Sequence, residues 1–267
     1  MADKSSVLTN TNATPVLAWL KNLPSFPPVA NKVMILLARK TISFREVAEV
    51  MKTDAGMSAE VLRLANSAAA GGRYRVSSIL EALALVGTQR LVGLLMTLSL
   101  SKMLRRSGSS ATMRRSWRHS LASALAAREF ASSFDCDAEE AYMAGLFHDI
   151  GRLALLVMQP ESYERLIAED GDLRSLETAY FGLDHCEAGA LVVEQWKLPS
   201  AYAEVARHHH EPGLEGDKLI RVVNAACVVA NQLGFSVRPT LEAPDMNDKL
   251  GFSIAETINL LECEHWI

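Results

Sequence analysis

Apolar residues recur along this chain at helical spacing, and no segment alternates polar and apolar positions with β-branched residues as a half-buried strand would. Phe44, Val47, Ala48 and Met51 fall at i, i+3, i+4 and i+7, the stripe of an amphipathic helix. Ser43 with Glu46, and Ser78 with Glu81, have the spacing of a capping box, in which a hydroxyl and a carboxylate satisfy the first free N–H groups of a helix. Pro27-Pro28 opens a further helix over about 29–39, since proline is accepted in a first turn. Residues 58–66 read as another, and 253–262 as a last short one. With nine Pro and 15 Gly in 267 residues, the chain lacks the punctuation of a loop-rich β domain. The expected fold class is all-α.

The strongest interruption is Arg105–Thr112, which contains Ser107-Gly108-Ser109-Ser110 and reads as a flexible polar loop. It divides the chain into two packed helical lobes, 16–110 and 111–235. A flexible segment, 1–15, precedes them, and a tail, 236–267, punctuated by Pro239 and Pro244, follows. A chain with 49% apolar and 22% charged residues is of ordinary globular composition. Its 27 basic against 31 acidic residues give a net charge of −4, which argues against non-specific duplex DNA binding, where phosphate neutralisation dominates affinity. Cys136, Cys186, Cys227 and Cys263 form no CxxC pair, so reduced thiols and a cytoplasmic setting are expected. Met1–Thr14 is polar and lacks the apolar stretch of a signal peptide. Gln89 and Arg90 interrupt one long apolar run, and His148, Asp149 and Arg152 the other, so no membrane span is expected.

The seven histidines are the informative residues. In a helix over 201–211, Tyr202, Val205 and Ala206 define the apolar face and His209 continues it at i+7, so His209 points inward. His185 heads a stripe with Ala188, Gly189, Val192 and Trp196, and His119 shares a face with Ala122, Ala126 and Phe130. In 142–158, Gly145 and Gly151 flank the pair His148-Asp149, and glycine allows another backbone close. Four inward histidines and one carboxylate on four helices could converge on a divalent ion held between the helices of a bundle. His208 and His210 belong to the surface or rim, and His265 to an exposed terminal segment. The competing reading is a set of core histidines bonded to backbone and to Asp149.

At these residues the chain resembles the HD superfamily of metal-dependent phosphohydrolases, whose ligands follow the order H…HD…H…H…D on helices. Within it the chain is similar to the HDOD branch, a bacterial signalling domain related to the HD-GYP phosphodiesterases. The resembling stretches are Leu23-Pro-Ser-Phe-Pro-Pro-Val, Leu62-Arg-Leu-Ala-Asn-Ser, Ser78-Ile-Leu-Glu-Ala-Leu-Ala-Leu-Val-Gly, Trp117-Arg-His-Ser, Ala144-Gly-Leu-Phe-His-Asp-Ile-Gly-Arg-Leu, Asp184-His-Cys-Glu-Ala-Gly with Trp196-Lys-Leu-Pro, and His208-His-His-Glu-Pro. The resemblance implies an HD-like bundle in the second lobe. It implies His119, His148, Asp149, His185 and His209 (or His208) as ligands of one or two divalent ions, Fe, Mn, Zn or Mg, with Asp149 bridging two. Two departures stand out. The final aspartate should fall in 220–231, which contains no acid, and Asn224 or Cys227 stands near its place. The residues after His209 carry no GYP motif. One carboxylate and four imidazoles leave most of the charge of two divalent ions uncompensated.

These features point first to a bacterial signal-transduction or regulatory module that acts through protein or ligand binding without robust catalysis. No fused receiver or cyclase segment is recognised, so its input is expected from another molecule, a signalling protein or a nucleotide ligand. The alternative is a metal-dependent phosphohydrolase of a nucleotide or cyclic dinucleotide, with His148 and Asp149 at the reacting centre and Arg152 meeting substrate phosphate or pairing at the surface. A third reading starts from charge. No acidic residue lies between Glu81 and Glu129, while Arg105, Arg106, Arg114 and Arg115 cluster around the polar loop, a candidate docking patch for phosphate, a nucleotide, nucleic acid or an acidic protein face. The competing reading there is a solvated loop between charged helix ends.

Overall fold

The computed structural model describes residues 23, 25–37, 43–68, 75–108, 110–211, 217–238 and 249–262. Helices dominate, and no strand occurs among the described residues. The first set is α1 (Pro28–Leu37), α2 (Phe44–Met51), α3 (Ala55–Ala68), α4 (Ile79–Val86) and α5 (Thr88–Ser107). The second is α6 (Ala111–Phe130), α7 (Ala138–Phe147), α8 (Ile150–Met158), α9 (Pro160–Ile167), α10 (Leu173–Phe181), α11 (His185–Gln195), α12 (Ser200–His208) and α13 (Lys218–Gln232). A last helix, α14 (Lys249–Glu262), packs on α6.

Local chemistry accounts for the helix starts. Ser43 and Glu46 form the full reciprocal capping box at α2. At α4 only half of it forms as expected. The Ser78 hydroxyl accepts from the Glu81 N–H, but the Glu81 carboxylate accepts from Ser77 N–H at 2.8 Å. Aspartates begin many later helices: Asp137, Asp172, Asp184 and Asp217 each accept from first-turn N–H groups.

Several boundaries differ from the sequence reading. Helix α3 is longer than 58–66, and α14 begins four residues before 253. Both ends of the loop expected at 105–112 are helical, since α5 runs to Ser107 and α6 begins at Ala111. Arg105 and Arg106 complete the last turn of α5, where cations offset the free carbonyls, and the Ser110 hydroxyl caps α6. The segment 142–158 is not one helix but two, broken at His148 and Asp149. By composition Ala138–Met158 is long and apolar enough to cross a bilayer, yet 89% of it is buried inside the fold, as in a core helix.

The second set builds the site. Helices α7 and α13 pack on α6, α8 packs on α11, and α11 on α12. Helix α5 reaches α6, α7 and α8, so one continuous apolar core joins both sets. Phe26, ahead of α1, stacks against Trp196 with ring centres 4.9 Å apart.

Candidate metal centre

The histidines are aimed by their backbones. His119 Nδ1 lies 2.8 Å from the Phe235 carbonyl, His148 Nδ1 2.7 Å from that of Gly145, and His209 Nδ1 2.9 Å from that of Ala206. A carbonyl can only accept, so each Nδ1 carries the proton and each Nε2 presents a lone pair. All three Nε2 atoms face Asp149. His119 and His148 approach its Oδ2 at 3.8 and 3.9 Å, while His209 approaches Oδ1 at 3.6 Å. His185 Nε2 also lies on the Oδ1 side, 3.4 Å away. All five residues are buried.

The break between α7 and α8 makes this arrangement possible. Consecutive residues of an unbroken helix point about 100° apart, so His148 and Asp149 could not both face one centre. Gly151 then lets α11 close in. A Cβ there would stand 2.1 Å from the His185 carbonyl and 2.3 Å from Gly189 N. Gly145 plays the same part against Ala124 of α6, with a Cβ clash at 2.7 Å.

Arg152 is buried and not a surface residue, and it lines the inner wall of a cleft beside Asp149 and His185. Its Nε donates to Asp149 Oδ2 at 2.9 Å and its Nη2 lies 3.4 Å from Oδ1. Nη2 also donates to His185 Nε2 at 3.0 Å, and Nη1 to Tyr163 Oη at 3.1 Å and Glu177 Oε1 at 3.3 Å. Tyr163 in turn donates to Glu177. The other Glu177 oxygen accepts from His185 Nδ1 at 2.5 Å and from the His185 backbone N–H at 2.9 Å. Glu177, Tyr163 and the role of His210 escaped the sequence reading. Glu177 had a signal: a carboxylate at i+4 in the stripe Leu173, Glu177, Phe181. His210, placed at the rim, brings its Nε2 to 3.0 Å from His185 Nε2, whereas His208 turns outward to Glu204 and Glu211. His265 and Cys263 lie outside the described residues.

Electrostatics follow from burial and this pairing. Burial alone would raise the Asp149 carboxyl, but Arg152 and the surrounding imidazoles outweigh it and hold the group well below the usual carboxylate range. Burial lowers His119 to about 4, and burial with His185 beside it lowers His210 to about 4. Burial pushes His148 and His209 down as well. Glu177 would also rise by burial, yet His185 and Arg152 hold it at about 2. The centre therefore contains neutral rings at His119, His148 and His209 beside two carboxylates and one guanidinium.

These residues fit one divalent ion. The Nε2 atoms of His148 and His209 are buried without any hydrogen-bond partner, the state of a ligand atom awaiting a cation. The ligand atoms of His148, Asp149 and His209 lie within 4.8 Å of one another, as do those of His119, His148 and Cys227. Those of His185, Cys186, His209 and His210 form a third such group. Arg152 Nη2 stands against His185 Nε2 and Asp149 Oδ1, atoms a second ion on that side would share. On α13, Asn224 donates to the His209 carbonyl at 2.6 Å, and Cys227 Sγ lies 3.4 Å from His119 Nε2; neither supplies the missing carboxylate. A cleft of about 420 Å³ opens onto His119, Asp149 and His210, with Arg174 and Arg238 in its walls. The basic stretch lies elsewhere. Arg106 and Arg114 are exposed on either side of 108–110, Arg105 is half-buried against Ser101, and Arg115 donates to the Val237 carbonyl at 2.9 Å.

The HDOD domain family model matches residues 23–212, most of the chain and all five candidate ligands. The chain belongs to the HDOD family. Solved HDOD folds agree. An HDOD domain protein of unknown function from Geobacter sulfurreducens is 21% identical, covers 91% of this chain and 87% of its own, and superposes with a TM-score of 0.72. A protein from Shewanella amazonensis SB2B named "Putative phosphohydrolase" is 23% identical, with coverage of 95% and 89% and a TM-score of 0.71. One from Marinobacter aquaeolei VT8 named "Putative signal transduction protein" is 19% identical, with coverage of 98% and 67% and a TM-score of 0.68. At such identities the likeness establishes the HDOD fold. An uncharacterized protein of Treponema pallidum (strain Nichols) is 22% identical over 208 residues, and the match spans 76% of this chain but 40% of that relative.

Proposed function

We propose that this HDOD chain is a bacterial regulatory module that acts by binding a signalling protein or a small ligand, without robust hydrolysis. The supporting observation is the Arg152 guanidinium seated between Asp149 Oδ1 and His185 Nε2. Two-metal hydrolysis needs two cations about 3.5–4 Å apart that activate a water and clamp the phosphate. A guanidinium supplies charge but no open coordination position. Displacing it would break the buried ion pair with Asp149, a loss on the order of 3–5 kcal/mol, while Glu177 would keep its bonds from Tyr163 and His185.

His119, His148 and Asp149 Oδ2 would hold one divalent ion. Bound there, it would supply a Lewis acid and a cross-link between α6 and the α7–α8 junction. The residues around it keep their own tasks: Gly145 and Phe235 carbonyls fix the ring tautomers, and Glu177 fixes His185. The cleft beside His210 is the seat for a small ligand, and Arg106 with Arg114 would face an acidic partner. Free thiols at Cys136, Cys186 and Cys227 support a cytoplasmic setting.

The competing reading is metal-dependent hydrolysis of a nucleotide or cyclic dinucleotide, favoured by the opening of that cleft onto Asp149. Purified chain loaded with Mn²⁺ or Fe²⁺ separates the two. We expect no release of phosphate or linear dinucleotide above the protein-free blank. Hydrolysis that Asp149→Ala abolishes would overturn the regulatory reading.

A further inference from the structure

Cys227 stands on α13, buried at 5% exposure, and its Sγ lies within 4.8 Å of the ligand nitrogens of His119 and His148. Its Sγ lies 3.4 Å from His119 Nε2, the atom whose lone pair the Phe235 carbonyl turns inward. Across the same space His148 Nε2 is fully buried and has no partner. In a tetrahedral zinc site, bond lengths near 2.3 Å to sulfur and 2.0–2.1 Å to nitrogen place the two ligand atoms about 3.6 Å apart. The observed separation is already close to that. We propose that Cys227 is a thiolate ligand of a one-metal centre shared with His119 and His148 beside Asp149, and that this centre selects a zinc-class ion over Mn²⁺ or Mg²⁺.

Charge and softness give the reason. Arg152 neutralises Asp149, so a divalent ion held by imidazoles alone would keep its full charge in a buried site. A thiolate halves that charge. It also changes the preference, because sulfur ligands suit zinc and its soft neighbours while Mn²⁺ and Mg²⁺ take oxygen. On binding, the S–H bond breaks, the sulfur–metal bond forms and the proton passes to water. No electron moves, so no oxidant or reductant is required. The inference rests on the reading that Arg152, bonded to both Asp149 oxygens and to His185 Nε2, stands in the place of a second ion.

Cobalt(II) is the probe. The metal-free chain, titrated with Co²⁺, is expected to bind one equivalent and show a near-ultraviolet thiolate-to-cobalt charge-transfer band. Cys227→Ser should lose the band and bind zinc at least tenfold more weakly. Cys186→Ser, at the other buried thiol near the histidines, should keep the band. Bound cobalt without the band in the unaltered chain would overturn the proposal even if the Cys227 variant failed to fold. So would two equivalents, no bound cobalt, or a band that survives in Cys227→Ser. Hydrolysis by the loaded chain would defeat the regulatory reading and leave the ligand assignment standing, so the two failures are distinguishable.

Discussion

A buried imidazole is useful only when one nitrogen is tied down. In His119, His148 and His209 a backbone carbonyl holds Nδ1, and each ring therefore offers Nε2 to the centre. These rings are neutral in the fold, which makes stability depend on acid. His119 is lowered from 6.5 to about 4, chiefly by burial. Below pH 6.5 the unfolded chain takes up protons that the fold refuses until about pH 4, so stability falls across that window. Glu177 adds a second loss as pH falls from 4.5 toward 2, because its carboxylate is held at about 2 in the fold. Urea midpoints of the metal-free chain should decline from pH 6.5 to 4, with a shallower slope in His119→Gln. A flat profile would contradict the burial of neutral rings. At this scale the inward aim of the four histidines was legible, since helical period places a residue on a face. Arg152 was not, because its partners Tyr163 and Glu177 lie 11 and 25 residues away in sequence.

The elements meet through glycine where the site demands it. Gly151 carries α8 against the first turns of α11, and Gly189 answers from α11 toward Ala206, where a Cβ would meet another at 3.1 Å. Gly151→Ala should therefore lose about 2–3 kcal/mol, since backbone atoms at 2.1 and 2.3 Å cannot give way as a side chain could. Gly56→Ala in α3 is the control. The nearest atom to its Cβ would be 3.5 Å away, and an alanine there should gain about 0.5–1 kcal/mol from helix propensity. Thermal midpoints moving together in the two variants would refute this contrast. The sequence showed that Gly145 and Gly151 allow close approach. It did not show the break at His148-Asp149, because Ala138–Met158 is apolar almost all round and its pattern carries no stop signal. The loop overextended to 105–112 failed for a related reason: Arg105 and Arg106 suit a helix C-terminus as well as a loop.

Across the whole molecule, α5 ties the two sets of helices together. Thr97 and Tyr142 share a buried hydrogen bond of 2.7 Å between α5 and α7, and the Tyr142 ring lies over Gly93, where a Cβ would stand 3.1 Å away. A double-mutant cycle of Thr97→Val and Tyr142→Phe should return a coupling of about 1 kcal/mol in unfolding free energy, with strictly additive losses counting against the tie. Helical content, capped starts, and the inward faces of His119, His185 and His209 are decided by residues within a turn or two of one another, so the sequence alone determined them. What stands around Asp149 is decided by packing between distant segments: Arg152 tied to Glu177, 25 residues away, and His119 tied to Cys227, 108 residues away. Periodicity says which way a side chain points, and only the docked helices say what it meets.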